Sequence, residues 1–568
     1  MRLMIREYLS MLKESDELDV IVPDLLNAMG IDVLAGAQKG VRQDGVDIHG
    51  VGIDPETGIK TNYLITVKKG NITRNIWSSD KQSVRQSLEE ITDVYMTQKM
   101  SNEHKKLPSK IILCYGGEMR QEVQPNWTGF TNKYSDYTFE DWGGNRLSGL
   151  IETYLTDEHL FFEDVKKDIR RTIVFLSDSD YKLTHYKEML KKLLDKSIWK
   201  GKSQSVKEKD ALKVLNMISL CMGMINQYSI EAENLEHSLN SSELSLLFSW
   251  AFISENNLEE NKKILDKFYQ MQMLHSVFAA GYFNKLEKYF YMRDGICSQG
   301  RDSLTSSLVT FKIIGILASV SLNNTLFALA IKDKNGIENS KIITNALACV
   351  IKNNSISASP CYDGQTIDIC LAIYSLALVG KIEEIKEWIK ELIHRFHFSY
   401  KILDKNFPIA YDSIDMLMEF EFEGKHSKEK MAGMSTLIPT LAYWCAILDF
   451  KDEYSDVLKL VEELKETDLQ LWYPRKGIKQ QLYKQYAGNE FGIAEVPLFL
   501  PESIEELKLR IKTFLKFSEG NNEFETKWDD SPPGLPLMAS RQFRTPANPF
   551  YWLSIVKADV SWDANGSK

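Results

Sequence analysis

The chain has 568 residues, several times the ~150 of a typical domain, so we expect two or more folding units. Apolar residues make up 43% of the chain and charged residues 26%, which excludes a disordered, collagen-like or disulfide-stapled protein. The formal net charge of −10 excludes a positive field over the whole protein, so any attraction for nucleic acid must be local.

No membrane or secretion signal is evident. Uninterrupted apolar runs fall short of the ~20 residues that a membrane-spanning helix needs. The first residues, MRLMIREYLSMLKESDE, are charged and have a helical period, unlike a secretory leader. Seven dispersed cysteines without a CxxC pair indicate free thiols in a reducing compartment, so we expect a cytoplasmic protein that does not enter membranes.

The first elements are a helix and a β-hairpin. The pattern predicts a helix over residues 5–29, ended by Gly30, with a kink or a new first turn at Pro23. A strand is predicted over 46–53 and a second over 59–68, joined by the turn sequence DPETG.

The following segments complete an α/β pattern. Residues 80–100 have a helical period and predict a helix. The apolar run SKIILCYGG predicts a buried strand, and YTFEDW predicts a short one. The segment NRLSGLIETYL predicts a last helix. We therefore predict an α/β domain over residues 1–162.

From residue 163 onward, amphipathic helical patterns continue almost to the end. They predict an all-α region over 163–527, either a solenoid or an irregular bundle, although no fixed repeat is present. The Pro-rich and aromatic tail, 528–568, is expected to pack on this region. A helical region of this size suggests a sensor or a surface for a protein partner or an oligomer.

The hairpin carries the residues that suggest chemistry. Phosphodiester hydrolysis needs a divalent cation held by carboxylates and a nearby positive charge. Asp47 lies at the start of the first hairpin strand, and Thr66 and Lys68 are two positions apart near the end of the second, so they share a strand face. The turn allows Asp47 and Lys68 to meet.

The order of QDGVDIHG, LITVKKG and KQSVRQSLEEI after an acidic helix resembles the PD-(D/E)xK nuclease superfamily, and in particular its Mrr-like restriction-endonuclease branch. The resemblance covers residues 15–115. It implies a restriction-endonuclease-like fold with a mixed sheet flanked by helices, Mg²⁺ as cofactor and DNA as substrate. Asp47 would be the central metal ligand, Lys68 the catalytic lysine and Asp19 the acidic residue of the helix, with Glu17 as a substitute.

Thr66 departs from the pattern of that branch, which has Glu, Asp or Gln at this position. A neutral hydroxyl is a weaker ligand for a hard cation than a carboxylate. The metal would then be held by Asp47, the carbonyl of Val67 and water, together with either Asp19 or a turn residue such as Glu56. The alternative is a decayed site in a scaffold that binds nucleic acid or proteins without cutting.

A basic stretch surrounds the candidate site. Six basic residues and one acidic residue lie between Lys60 and Arg85. The expected DNA contacts are Lys69, Arg74, Lys81, Gln82, Arg85 and Gln86, of which Gln82 or Gln86 would be the helical polar residue of the family pattern. A solvated helix face is the competing interpretation.

Each candidate site residue could also have a purely structural role. Lys68 could reach solvent from the strand end, Asp47 could belong to a turn, Asp19 could be exposed, and His49 is more typical of a packed residue than of a ligand. The leading hypothesis is a magnesium-dependent endonuclease of bacterial anti-phage defence, with a helical regulatory region. RNA cleavage remains open because the motif does not distinguish the two nucleic acids.

Overall fold

The computed structural model describes residues 2–12, 14–35, 44–79, 83–154, 163–195, 206–403, 408–410, 413–464, 466–475, 478, 482–484, 492–520, 532, 534–547 and 549. The chain divides into two compact units, Met1–Ser241 and Ser242–Lys568. The predicted end of the α/β domain at residue 162 lies inside unit 1, which also contains the helices up to residue 231.

Unit 1 is built on a mixed five-stranded sheet whose strands follow the order of the chain. Strands β1, β2 and β3 are antiparallel neighbours, whereas β3, β4 and β5 run parallel. The strands are β1 (Ile31–Ala35), β2 (Ile48–Ile53), β3 (Lys60–Lys68), β4 (Ser109–Tyr115) and β5 (Thr138–Trp142). The predicted hairpin and both later strands are present, but β1 falls between the predicted helix and the first predicted strand, where no strand was predicted.

The described part of unit 1 also contains helices, several of which pack against the sheet. They are α1 (Arg2–Met11), α2 (Asp19–Ala28), α3 (Arg74–Ser78), α4 (Val84–Glu90), α5 (Gln124–Lys133), α6 (Gly144–Tyr154), α7 (Glu163–Phe175), α8 (Thr184–Leu193) and α9 (Glu208–Glu231). The helix predicted over 5–29 is interrupted: α1 ends at Met11, and a π-helical segment, Glu14–Leu18, leads into α2, which contains Pro23. The helix predicted over 80–100 becomes α4 followed by a π-helical segment, Ile91–Lys99.

One face of the sheet forms an aromatic-rich core beneath α3, α4 and α5. Leu64 of β3 and Leu113 of β4 pack there with Trp77 and Phe130. Because side chains alternate along a strand, Thr66 and Lys68 share this face with Leu64. The carboxyl end of β3 therefore lies at the margin of this core.

Unit 2 is mainly helical. Its helices are α10 (Leu235–Glu255, which spans the division), α11 (Lys262–Phe290), α12 (Ser303–Ile331), α13 (Lys334–Asn353), α14 (Thr366–Leu378), α15 (Ile382–Lys401), α16 (Ile414–Met418), α17 (Lys428–Met431), α18 (Leu437–Leu448), α19 (Lys451–Glu463), α20 (Ile504–Gly520) and α21 (Leu535–Phe543). The prediction of an all-α region is wrong in one respect, because two short two-stranded ladders are present: Met434–Ser435 with Asp468–Leu469, and Leu471–Pro474 with Gly492–Glu495. These strands are too short and irregular in sequence to show a period of two.

Helix α12 is the buried element of unit 2 and contacts α11, α13, α14 and α21. It is the one helix among the described residues that is long and apolar enough to cross a membrane, and 78% of its apolar window is buried inside the protein. That burial is typical of a core helix. Helix α21, from the predicted tail, packs on α12 and α14, and Arg544 forms an ion pair with Asp368. Residues 551–568 lie outside the described part of the chain.

Candidate active site

Asp47 lies directly before β2, where the chain approaches helix α4. The preceding Gly45 has φ = +83°, and a β-carbon at this position would lie 2.1 Å from the carbonyl oxygen of Ser87. Only glycine fits both the left-handed backbone and this close approach. The glycine of the GVD sequence thus sets the path of the chain into Asp47.

The carboxylate of Asp47 is bound to the neighbouring strand through one oxygen. Its Oδ2 accepts hydrogen bonds from the backbone N–H of Val67 at 2.7 Å and from the hydroxyl of Thr66 at 3.2 Å. Within the described part of the chain no donor to Oδ1 is found, so this oxygen is available to a cation. Thr66, which is fully buried, therefore orients Asp47, and Val67 contributes its amide.

Lys68 is buried, with 7% of its surface exposed, so the alternative of a solvated lysine does not describe it. Its Nζ lies 3.9 Å from Oε1 of Glu14, in the π-helical segment between α1 and α2. A buried lysine is costly unless an anion faces it, and Glu14 and Asp47 supply that charge.

Asp19 begins helix α2 and carries a carboxylate oxygen, Oδ1, that is buried without a hydrogen-bond partner. An unsatisfied buried carboxylate oxygen is unfavourable in the absence of a cation or water. The negative charge of Asp19 is close enough to raise the pKa values of both Asp47 and Glu14.

The two acidic groups nearest Lys68 have shifted pKa values. Burial raises the pKa of Asp47 and the charge of Asp19 adds to this, while the Val67 N–H, Lys68 and Thr66 oppose it. Burial also raises the pKa of Glu14, with Lys68 opposing and Asp47 adding to the rise. Three carboxyl groups thus share one poorly solvated region, the setting in which a divalent cation is most stabilising.

Other predicted participants lie elsewhere. Glu17 forms a buried ion pair with Lys213 of α9, and Glu56 pairs with Lys110 and Arg146 at the turn end of the hairpin. His49 is a packed residue, as its isolation in sequence suggested: its ring contacts the Tyr95 hydroxyl at 3.1 Å and the Asn62 amide oxygen at 3.3 Å.

The expected DNA contacts are only partly oriented for binding. Lys69 and Arg74 are exposed near the end of β3. Arg85 and Gln86 are also exposed, but each bonds to a glutamate one turn further along, Glu89 and Glu90 respectively. The remaining two, Lys81 and Gln82, lie outside the described residues.

Among the described residues, no three His, Cys, Asp or Glu side chains are gathered closely enough to hold a metal ion by themselves. The donor set nevertheless suits a hard cation, because Asp47 Oδ1 and the unsatisfied Asp19 Oδ1 are carboxylate oxygens in a buried setting. Magnesium usually keeps several waters and binds through one or two carboxylates, so these two oxygens are compatible with it.

Glu14 is the residue that the sequence analysis missed. On an uninterrupted helix from 5 to 29, Asp19 and Glu17 were the natural acidic candidates. The break after Met11 and the π-helical turn change the register, so that Glu14 contacts Lys68 and Glu17 turns to Lys213. The acidic cluster ESDELD indicated that a carboxylate could approach Lys68. It did not indicate which of its acidic residues would face the strand.

No protein-family model, curated protein or solved structure matches the chain.

Proposed function

We propose that unit 1 is a magnesium-dependent endodeoxyribonuclease of the PD-(D/E)xK type, closest in pattern to the Mrr-like branch. The observation that carries the proposal is the arrangement at the end of β3, where the bound carboxylate of Asp47, the buried Lys68 and the unsatisfied oxygen of Asp19 come together. The mixed sheet flanked by helices supports it, since this is the architecture that the resemblance implies.

Asp47 and Asp19 would hold Mg²⁺ together with water, while Glu14 stays beside Lys68. When bound, the ion polarises the phosphate and lowers the pKa of an attacking water. Thr66 and the Val67 N–H fix the Asp47 carboxylate, and Lys68 places a positive charge where the phosphate's negative charge develops. The buried surroundings make each of these charges act more strongly than in bulk water.

The test is cleavage of plasmid DNA by the full chain with Mg²⁺. We expect Asp47→Ala and Lys68→Ala each to lower the cleavage rate by roughly 100-fold or more. Lys60→Ala, an exposed lysine at the other end of the same strand, and Asp136→Ala, an exposed aspartate before β5, are matched controls that keep wild-type rates. Equal cleavage by all five proteins would exclude this site.

A second candidate function is a nuclease-like scaffold that binds nucleic acid without cutting it. The specific observation in its favour is Thr66, whose hydroxyl donates to Asp47 where the family pattern has an acidic residue or Gln. If wild type binds DNA without cleaving it and Thr66→Glu creates Mg²⁺-dependent cleavage, the scaffold is the correct function. Thr61→Glu, a buried threonine earlier on the same strand, controls for the added charge.

We assign the helical unit 2 a regulatory role, as a sensor or a docking surface for a protein partner or an oligomer. A cytoplasmic nuclease would otherwise endanger the host genome, and anti-phage defence is the setting that the resemblance suggests. Deletion of unit 2 is expected to raise the rate of plasmid cleavage above that of the full chain, measured with Mg²⁺ under identical conditions.

A further inference from the structure

We propose that a pocket at the carboxyl ends of β4 and β5 binds a single unstacked guanine base next to the phosphate that is cut. The inference rests on the proposed function in taking nucleic acid as the ligand. The pocket has a volume of about 340 Å³ and is lined by Tyr115, Glu118, Gln124, Asp141 and Arg146, with glycines as its floor. This volume is at the small end of ligand pockets, ~300–1,000 Å³, and fits one nucleotide rather than a duplex.

The pocket belongs to the same row of side chains as the candidate active site. Lys68 of β3 is the strand partner of Tyr115 in β4, and Leu113, two residues before Tyr115, is the partner of Asp141 in β5. Partners in parallel strands share a face, so Lys68, Tyr115 and Asp141 follow one another across the sheet. Two strand spacings, on the order of 10 Å, separate the outer members, which is within reach of one nucleotide.

The polar groups of the pocket favour a base over a phosphate. The hydroxyl of Tyr115 and the carboxyl group of Asp141 both line the pocket, and Glu118 adds a second carboxylate. The guanidinium of Arg146 is already paired with Glu56 at 2.9 Å and Glu140 at 3.2 Å. A pocket with two carboxylates and a neutralised arginine disfavours a phosphate inside it, so the base enters the pocket and the phosphate of the nucleotide stays outside.

The carboxylate of Asp141 selects among the bases. Guanine alone offers two adjacent N–H donors on its Watson–Crick edge, which match the two oxygens of a carboxylate, whereas thymine offers one N–H between two acceptors. Tyr115 lies against Gly143, where a β-carbon would lie 2.9 Å from the tyrosine oxygen, so only glycine at this position leaves room for the hydroxyl in the pocket. In duplex DNA the base must first leave the stack, so single-stranded DNA is the preferred substrate.

The first test is binding of the four deoxynucleoside 5′-monophosphates to the full chain in EDTA, by calorimetry. We expect dGMP to bind about tenfold or more tighter than dTMP. Asp141→Asn, which replaces an acceptor by a donor, removes this preference, and Tyr115→Phe weakens it. Asp136→Asn, in the turn before β5, retains it. Three results would overturn the proposal. They are equal affinity for the four nucleotides, an unchanged preference for dGMP in Asp141→Asn, and no binding at millimolar concentration.

The second test separates this inference from the proposed nuclease. Sequencing of the ends that wild type produces from single-stranded DNA is expected to show guanine beside the cut, and Asp141→Asn to cut with the guanine preference lost. Cleavage without such a preference overturns the pocket alone. An inert wild type that still prefers dGMP overturns the nuclease and supports the pocket.

Discussion

The backbone at Gly45 controls the entry of Asp47 into the site. We expect Gly45→Ala to lower the free energy of unfolding of unit 1 by more than about 1 kcal/mol, because it adds a steric clash with Ser87 to the cost of a left-handed alanine. Gly58→Ala is the matched control: its φ is +69°, but nothing lies within 4 Å of a β-carbon there. Urea unfolding of the two variants measures the difference, and equal losses would show that the close approach is not limiting.

His275 of α11 is the residue that makes unit 2 sensitive to acid. Its ring is fully buried, its Nδ1 contacts the Ser242 hydroxyl at 2.8 Å, and its Nε2 has no hydrogen-bond partner. Burial lowers its pKa to about 4, with the charge of Glu243 opposing and that of Arg541 adding to the shift.

The sign of the pH effect follows from that lowered pKa. The unfolded chain takes up a proton near pH ~6.5 while folded His275 stays neutral, so the stability contribution is present above that pH and is lost as pH falls towards 4. We expect a loss of roughly 3 kcal/mol over this range. His275→Phe removes this slope in urea unfolding, and His394→Gln, an exposed histidine, keeps it. An unaltered slope in His275→Phe would contradict the assignment.

At the level of elements, the segment that carries Glu14 and leads into Asp19 is anchored by helix α9. Lys213 of α9 and Glu17 are 8% and 12% exposed and form an ion pair. The side-chain amide of Asn216, on the same helix, contacts the Met11 sulfur at the end of α1 at 3.0 Å. These contacts fix the break between α1 and α2, and with it the position of Glu14.

We expect Lys213→Met to lower the free energy of unfolding of unit 1 by about 3 kcal/mol, because it leaves the Glu17 carboxylate buried without its cation. The double variant Glu17→Gln, Lys213→Met recovers most of this loss. Lys191→Met, which breaks the exposed pair with Glu188, is expected to change stability by less than ~0.5 kcal/mol. Denaturant unfolding is the measurement. Equal effects of Lys213→Met and Lys191→Met would mean that the buried pair does not hold the segment.

At the level of the whole molecule, an acidic protein must attract DNA through a local surface. The net charge is −10, and Lys69 and Arg74 are exposed cations near the end of β3, whereas Arg85 is paired with Glu89. We expect DNA binding to weaken with salt, and Lys69→Ala and Arg74→Ala each to reduce the slope of log affinity against log salt by about 1. Arg85→Ala is expected to change it less. Fluorescence anisotropy with a labelled oligonucleotide measures the slopes, and identical slopes in all variants would place the DNA elsewhere.

Local patterns determined much of unit 1. The alternation of side chains and the turn DPETG were sufficient to predict β2 and β3 within two residues at each end, because both signals lie within a few residues of the elements they specify. The same alternation placed Thr66 and Lys68 on one strand face. The helical spacing of apolar residues likewise predicted that the chain from residue 163 onward is mostly helical.

Tertiary structure alone decided the rest. Strand β1 exists because β2 offers it a partner edge, although its five residues alone did not predict a strand. Glu14 rather than Glu17 lies beside Lys68. Glu17 instead pairs with Lys213, which is almost two hundred residues away in the chain. Such choices depend on contacts between distant parts of the chain, and their energies appear in no local pattern of residues.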